Sequence, residues 1–397
     1  MEATLATPPA TPDAGEPDYD ADDHRVTPLE LFFDLVFVFA FTQVTALMAD
    51  NATWEGLGQG MLVLGAVWFA WAAYSWLTNE VDAEATASRL TVFTVMAAML
   101  VAAMAIPQAF GADALAFGIA YLIVRTSHIA LFAQASRHVG AREAILRLAP
   151  TAIGGASLLV IAAAFDGAVQ AGLWCLALAI DYGGPYLFGV EGYTVSPGHF
   201  AERFGLIVII ALGESIVAVG AGAAGLPLDT ATIAAAVAGV AIAAGLWWTY
   251  FDVVAWLTQR RLRDAQGTAR NRMARDVYSY LHLPMIAGIV LLALGIKKTL
   301  GHTGEALDTV PAVALCGGVA LYLLAHVAIR LRNIHSIAGW RVLAAAVCLA
   351  LIPVATEIDA LASVISVAAV VGALVAWDTH RYGESRQRLR AEAEAAA

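Results

Sequence analysis

From residue 28 onward the chain is a train of apolar runs, each about as long as a membrane is thick. A spanning helix needs roughly 20 apolar residues, because every backbone N–H and C=O must find its partner inside the segment. Twelve such runs are expected, at about 29–48, 57–77, 89–110, 112–136, 145–165, 168–189, 199–222, 230–257, 275–297, 310–331, 340–355 and 360–379. Only 14% of the 397 residues are charged, against about 25% in a soluble domain. The predicted fold class is therefore all-α, a polytopic membrane helix bundle of about 12 transmembrane helices, with the lipid bilayer as its main partner.

The ends follow a different pattern. Residues 1–24 are rich in Pro, Ala and acid, and read as a disordered acidic tail. They lack the basic start and apolar centre of a secretory signal. Seven acids of the net −11 charge sit here, so the net figure says little about partners, and nothing is basic enough for nucleic acid. Residues 383–397 form a second, C-terminal tail. Of 22 Lys and Arg, 18 fall on the side shared by both tails and the even-numbered connections. Only Lys297 and Lys298 fall on the other side. That bias puts both termini in the cytoplasm. Cys175, Cys316 and Cys348 all lie in apolar runs without C-x-x-C spacing, and read as small packing residues.

The two halves, 25–189 and 190–382, look related. Glu-Leu-Phe-Phe-Asp from Glu30 resembles Glu-Arg-Phe-Gly-Leu from Glu202. Trp71-Ala-Ala-Tyr74 resembles Trp247-Trp-Thr-Tyr250, and Ser127-His128-Ile-Ala resembles Ala325-His326-Val-Ala. Six spans is an even number, so the expected internal repeat is parallel, six helices plus six.

Four stretches occur together and in order. They are L-E-L-F-F-D-L-V-F-V from Leu29 to Val38, H-F-A-E-R-F-G-L-I-V-I-I-A-L-G-E-S from His199 to Ser215, W-W-T-Y-F-D from Trp247 to Asp252, and Y-L-H-L-P-M from Tyr280 to Met285. This set resembles the bacterial low temperature requirement A (LtrA) family over nearly the whole chain after the tail. The resemblance implies a multi-pass protein of the bacterial cell (inner) membrane linked by name to growth in the cold. It carries no agreed activity.

Ionisable groups inside a span cost roughly 2.5–3.5 kcal/mol each at the bilayer centre and call for a partner, water or a function. Helix rise and orientation place Glu30, Asp34, Arg125, His128, Asp181, His199, Glu202, Arg203, Asp252, His282 and His326 in the cytoplasmic half. Glu214 lies deeper, about 22 Å along the axis from His199. Five acids against Arg125 and Arg203 cannot all stay ionised in a dry site, so a polar cavity open to the cytoplasm is expected, suited to protons, cations or small solutes. Plainer roles compete. Glu30 and Asp34 suit a helix start, and His128 and His326 suit packing between helices. Asp252 suits a pairing with the basic loop 260–275, and the Trp residues near span ends suit an interface belt. His199-x-x-Glu202 has the i, i+3 spacing of a one-face metal pair, with Glu30 or His282 as further ligands. No lysine sits inside a span away from its end, and no P-loop or H-E-x-x-H occurs.

The leading expectation is a proton-coupled or cation-linked small-solute transporter. The alternatives are an intramembrane enzyme acting on a lipid or isoprenoid-linked substrate, with Glu202, Asp34 and His282 as acid/base groups, or a sensor or scaffold. An enzyme is the less favoured class, and no cofactor is indicated.

Overall fold

The computed structural model describes residues 26–81, 86–136 and 138–395, so the acidic segment 1–24 lies outside them. Twelve helices account for nearly all of the described chain. They are α1 Pro28–Asp50, α2 Trp54–Glu80, α3 Thr86–Ala105, α4 Ala114–Ala135, α5 Val139–Ala162 and α6 Gly167–Leu187, then α7 Pro197–Ala223, α8 Thr230–Asp264, α9 Gly267–Gly301, α10 Thr309–Ile334, α11 Gly339–Ala355 and α12 Ala360–Ala395. All but α6 and α11 are long and apolar enough to cross a membrane. Among the described residues there is no strand, only a bridge between Ala306 and Asp359.

Local chemistry sets the helix starts. Pro28 and Pro197 occupy first-turn positions, where no backbone N–H is needed. Thr27 and Glu30 form a reciprocal capping box at the start of α1: Glu30 N–H donates to Thr27 Oγ1 at 3.3 Å, and Thr27 N–H donates to Glu30 Oε2 at 2.9 Å. Asp229 caps α8 by accepting the Thr232 N–H.

α8 and α9 run past the apolar limits expected for them, to Asp264 and from Gly267. These extensions are amphipathic: Leu262 and Met273 are buried while Arg260, Arg261 and Arg263 face outward. A helix stabilised on one face continues beyond the point where the run stops being wholly apolar. Three helices contain π-turns, at 250–254 in α8, 274–281 in α9 and 313–317 in α10. Such turns free a carbonyl and re-aim side chains.

Each six-helix half packs by the same scheme. The first helix touches the second and third, the third packs on the fourth, the fourth on the fifth and the fifth on the sixth. The second helix also meets the fourth and sixth. This holds for α1–α6 and again for α7–α12. The seam between halves is formed by α1 and α2 against α7 and α9. Small residues permit the closest crossings: a Cβ on Gly288 of α9 would stand 2.5 Å from the Gly318 carbonyl oxygen of α10, so both positions require glycine.

Candidate functional site

The capping box that starts α1 also aims its carboxylate across the seam. Glu30 is buried, and its Oε1 accepts His199 Nε2–H at 3.0 Å. One turn on, Asp34 Oδ1 accepts Arg203 Nη2 at 3.0 Å and Trp71 Nε1 at 2.9 Å. Arg203 Nη1 lies 3.5 Å from Glu30, so one fully buried guanidinium serves both acids. The Arg203 guanidinium also faces the Trp71 ring. Arg203 Nε and Asp34 Oδ2 have no hydrogen-bond partner among the described residues. Two carboxylates, one guanidinium and one imidazole are neutral only when the group carries one additional proton. Burial favours that neutral count.

The seam carries a third acid further along. Glu214 on α7 is buried and accepts Thr42 Oγ1–H from α1 at 2.6 Å. Lys297 of α9 is close enough to act on it electrostatically. Between Arg203 and Glu214 the α7 face is packed with Phe204, Ile207, Val208 and Ala211, all fully buried. Eleven residues of α7, about 16 Å of helix, separate Arg203 from Glu214.

The other expected residues join different groups. Arg125 on α4 donates to Asp181 on α6 at 2.6 Å. His128 donates Nε2–H to the Ala73 carbonyl of α2 at 3.0 Å, which leaves Nδ1 as an acceptor without a donor among the described residues. Arg125, His128 and Asp181 line a cavity of about 70 Å³ in the first half, with mainly apolar and aromatic walls. His282 on α9 donates Nδ1–H to the Val277 carbonyl, within the π-turn, at 2.9 Å. Its Nε2 therefore accepts the Tyr250 hydroxyl at 2.9 Å. His326 on α10 packs beside Arg341 of α11, which donates Nη1 to His326 Nδ1 at 3.2 Å and Nη2 to Asp378 of α12 at 3.4 Å. Asp252 is half-buried in the π-turn of α8.

Glu202 is exposed at the α7–α8 groove, a space of about 630 Å³, and accepts the Val26 N–H. His199 points into the seam instead, so the i, i+3 pair is divided between two surroundings. Among the described residues no three His, Cys, Asp or Glu side chains converge in a metal-binding group.

The structure thus brings Glu30, Asp34, His199 and Arg203 together. It gathers Arg125, His128 and Asp181 separately, and gives Glu214, His282 and His326 partners of their own. Several partners escape the sequence reading. Trp71 reads as an interface residue yet is fully buried and holds Asp34, and Trp68 likewise donates to the Ser279 carbonyl at 2.7 Å. Arg341 reads as a loop cation, and Asp378 and Thr42 give no signal beyond their polarity within spans.

Comparison with known proteins gives one family and one relative. The sequence model described as bacterial low temperature requirement A protein matches residues 25–376. An uncharacterized protein of Rhizobium meliloti (strain 1021) is 29% identical over 316 residues, covering 77% of this chain and 76% of the relative. No solved structure matches. The matched region takes in the seam, the first-half cavity and the α7–α8 groove, and on this ground the chain belongs to the bacterial low temperature requirement A (LtrA) family.

Proposed function

We propose that the protein is a proton-coupled or cation-linked transporter of a small solute, built as a parallel pair of six-helix repeats in the bacterial cell membrane with both termini in the cytoplasm. The observation that carries this reading is the buried Glu30–Asp34–His199–Arg203 group on the seam between two halves that pack alike. A buried ionisable group facing a helix interface marks a pathway more often than a packing need. This one holds one exchangeable proton by its charge count. Glu214 supplies a second proton-accepting station on the same seam, toward the opposite end of the bundle. The apolar packing between them closes the route in this conformation. Movement of α1 against α7 would open it, which is how two rocking halves alternate access around a fixed site.

The test is reconstitution in liposomes loaded with a pH-sensitive dye, with a panel of small solutes outside. Wild-type protein is expected to couple proton flux to at least one solute, and Glu214→Gln to reduce that flux more than tenfold. Equal flux in the two proteins, or none across the panel, overturns the reading.

The α7–α8 groove favours a second reading, an enzyme acting on a lipid-linked substrate. It combines exposed Glu202 and half-buried Gln259 with the aromatic residues Tyr250, Phe251 and Trp256. Turnover of a lipid-linked substrate that falls with Glu202→Gln and is indifferent to Glu214→Gln would select it over transport.

A further inference from the structure

The second half contains a cavity of about 350 Å³ between α8, α10, α11 and α12. Its wall holds three arginines, Arg330, Arg341 and Arg381, against the single acid Asp378. Asp378 is matched to Arg341, so the lining carries a surplus of two positive charges. Arg341 is held in place from three sides, by Asp378, by the Thr249 carbonyl at 3.1 Å and by His326 Nδ1. Because a guanidinium can only donate, Nδ1 of neutral His326 accepts, and its proton sits on Nε2. That Nε2–H is fully buried and has no acceptor among the described residues. Arg330 is braced through Nε to Ser336 Oγ at 2.8 Å. α11 begins at the cavity with no side-chain cap on its first turn. Surplus positive charge and an uncapped helix start both ask for the same thing, an anion with several acceptor oxygens.

The rim decides which anion. Ile337 is 66% exposed and Trp340 46%, and the outer face of α11 continues with exposed Val342 and Leu343. A free phosphate would have no use for this surface, whereas acyl chains would lie along it. The geometry points to a binding site for the phosphodiester headgroup of an anionic glycerophospholipid, with Arg330, Arg341 and Arg381 around the phosphate and the chains leaving past Trp340. The inference is independent of transport, since it concerns a site away from the seam.

The test uses the delipidated full-length protein in neutral detergent. Phosphatidylglycerol, phosphatidylcholine or inorganic phosphate is added, and thermal unfolding and native mass spectrometry are read. Phosphatidylglycerol is expected to raise the unfolding midpoint and to remain bound, and the other two to do neither. Arg330→Gln with Arg381→Gln is expected to weaken phosphatidylglycerol binding at least fivefold. Arg260→Gln with Arg261→Gln, in the basic α8–α9 region outside this cavity, should leave it within twofold. If the double variant fails to fold, Arg381→Gln alone, at an exposed position, carries the test with a loss of at least twofold. Equal effects of phosphatidylcholine, equal stabilisation by inorganic phosphate, full retention in the Arg330/Arg381 variant, or the same loss in the Arg260/Arg261 variant would each overturn the assignment.

Discussion

The first-half cavity and the second-half cavity occupy corresponding places and differ in how their charge is closed. Both lie among the second, fourth, fifth and sixth helices of their half, and the first is also walled by Arg275, Ser279 and Tyr280 of α9. Each has a histidine on the fourth helix and an aspartate on the sixth. His128 and His326 are 198 residues apart, and Asp181 and Asp378 are 197 apart. In the first half Arg125 meets Asp181 at 2.6 Å, the other arginine of the wall, Arg275 of α9, is paired with Asp276, and the space is about 70 Å³. In the second half the arginine comes from the fifth helix, the pair lengthens to 3.4 Å, two more arginines join, and the space is about 350 Å³. Neutral charge can be sealed in a low-dielectric interior, whereas surplus charge must keep contact with water or headgroups. One architecture thus yields a small pocket around a fully buried ion pair and a larger one whose ion pair is partly accessible and whose wall carries surplus charge.

The largest effect expected of this contrast is on stability. Asp181→Ala leaves Arg125 buried without its counter-charge and should cost about 3–5 kcal/mol. The double change Arg125→Leu with Asp181→Leu should recover most of that loss, because it removes both charges. Asp378→Ala should cost only about 1 kcal/mol, since Arg341 keeps Thr249 and His326 and stands beside an open cavity. Denaturant unfolding in detergent measures all three. Equal losses for Asp181→Ala and Asp378→Ala would erase the distinction between sealed and open.

A smaller effect tests the likeness rather than the difference. In each half a tyrosine on the fourth helix donates to a carbonyl of the second. Tyr121 reaches Ala66 at 3.1 Å, and Tyr322 reaches Leu246 at 2.9 Å. Tyr121→Phe and Tyr322→Phe should each cost about 1 kcal/mol, as a lost buried hydrogen bond does. A difference well beyond that between the two variants would mean that the halves share a helix scheme without sharing its fastening.

Hydropathy made the twelve helices legible, because a lipid solvent forces the signal into runs of known length. It misplaced the junction of α8 and α9, where Leu262 and Met273 extend the helices on one buried face only. It carried no trace of the π-turns that bring Tyr250 to His282. The seam group was visible as residue types: Glu30, Asp34, His199 and Arg203 stand out in apolar surroundings. What could not be read was the division of the polar set into separate groups. Depth follows from helix rise, but the azimuth of each helix and its neighbours across the chain do not. Arg125 and Asp181 share a depth with Arg203 and Asp34 and still belong to another pocket. Arg341 was hidden by its place at a span end, where a cation ordinarily serves as a topology signal.

The smallest effect concerns salt, and it separates the cavities without altering either. Screening reaches charges in contact with solvent and spares those sealed from it, with a Debye length of about 10 Å at 0.1 M and 3 Å at 1 M. The cost of Asp378→Ala should therefore fall by a few tenths of a kcal/mol between 0.1 M and 1 M sodium chloride, while the cost of Asp181→Ala should hold constant. The two variants are compared with wild type at each ionic strength, so the general effect of salt on unfolding cancels. A salt-sensitive Asp181→Ala would mean that water reaches the Arg125 pair, and that pair would then be as accessible as its counterpart.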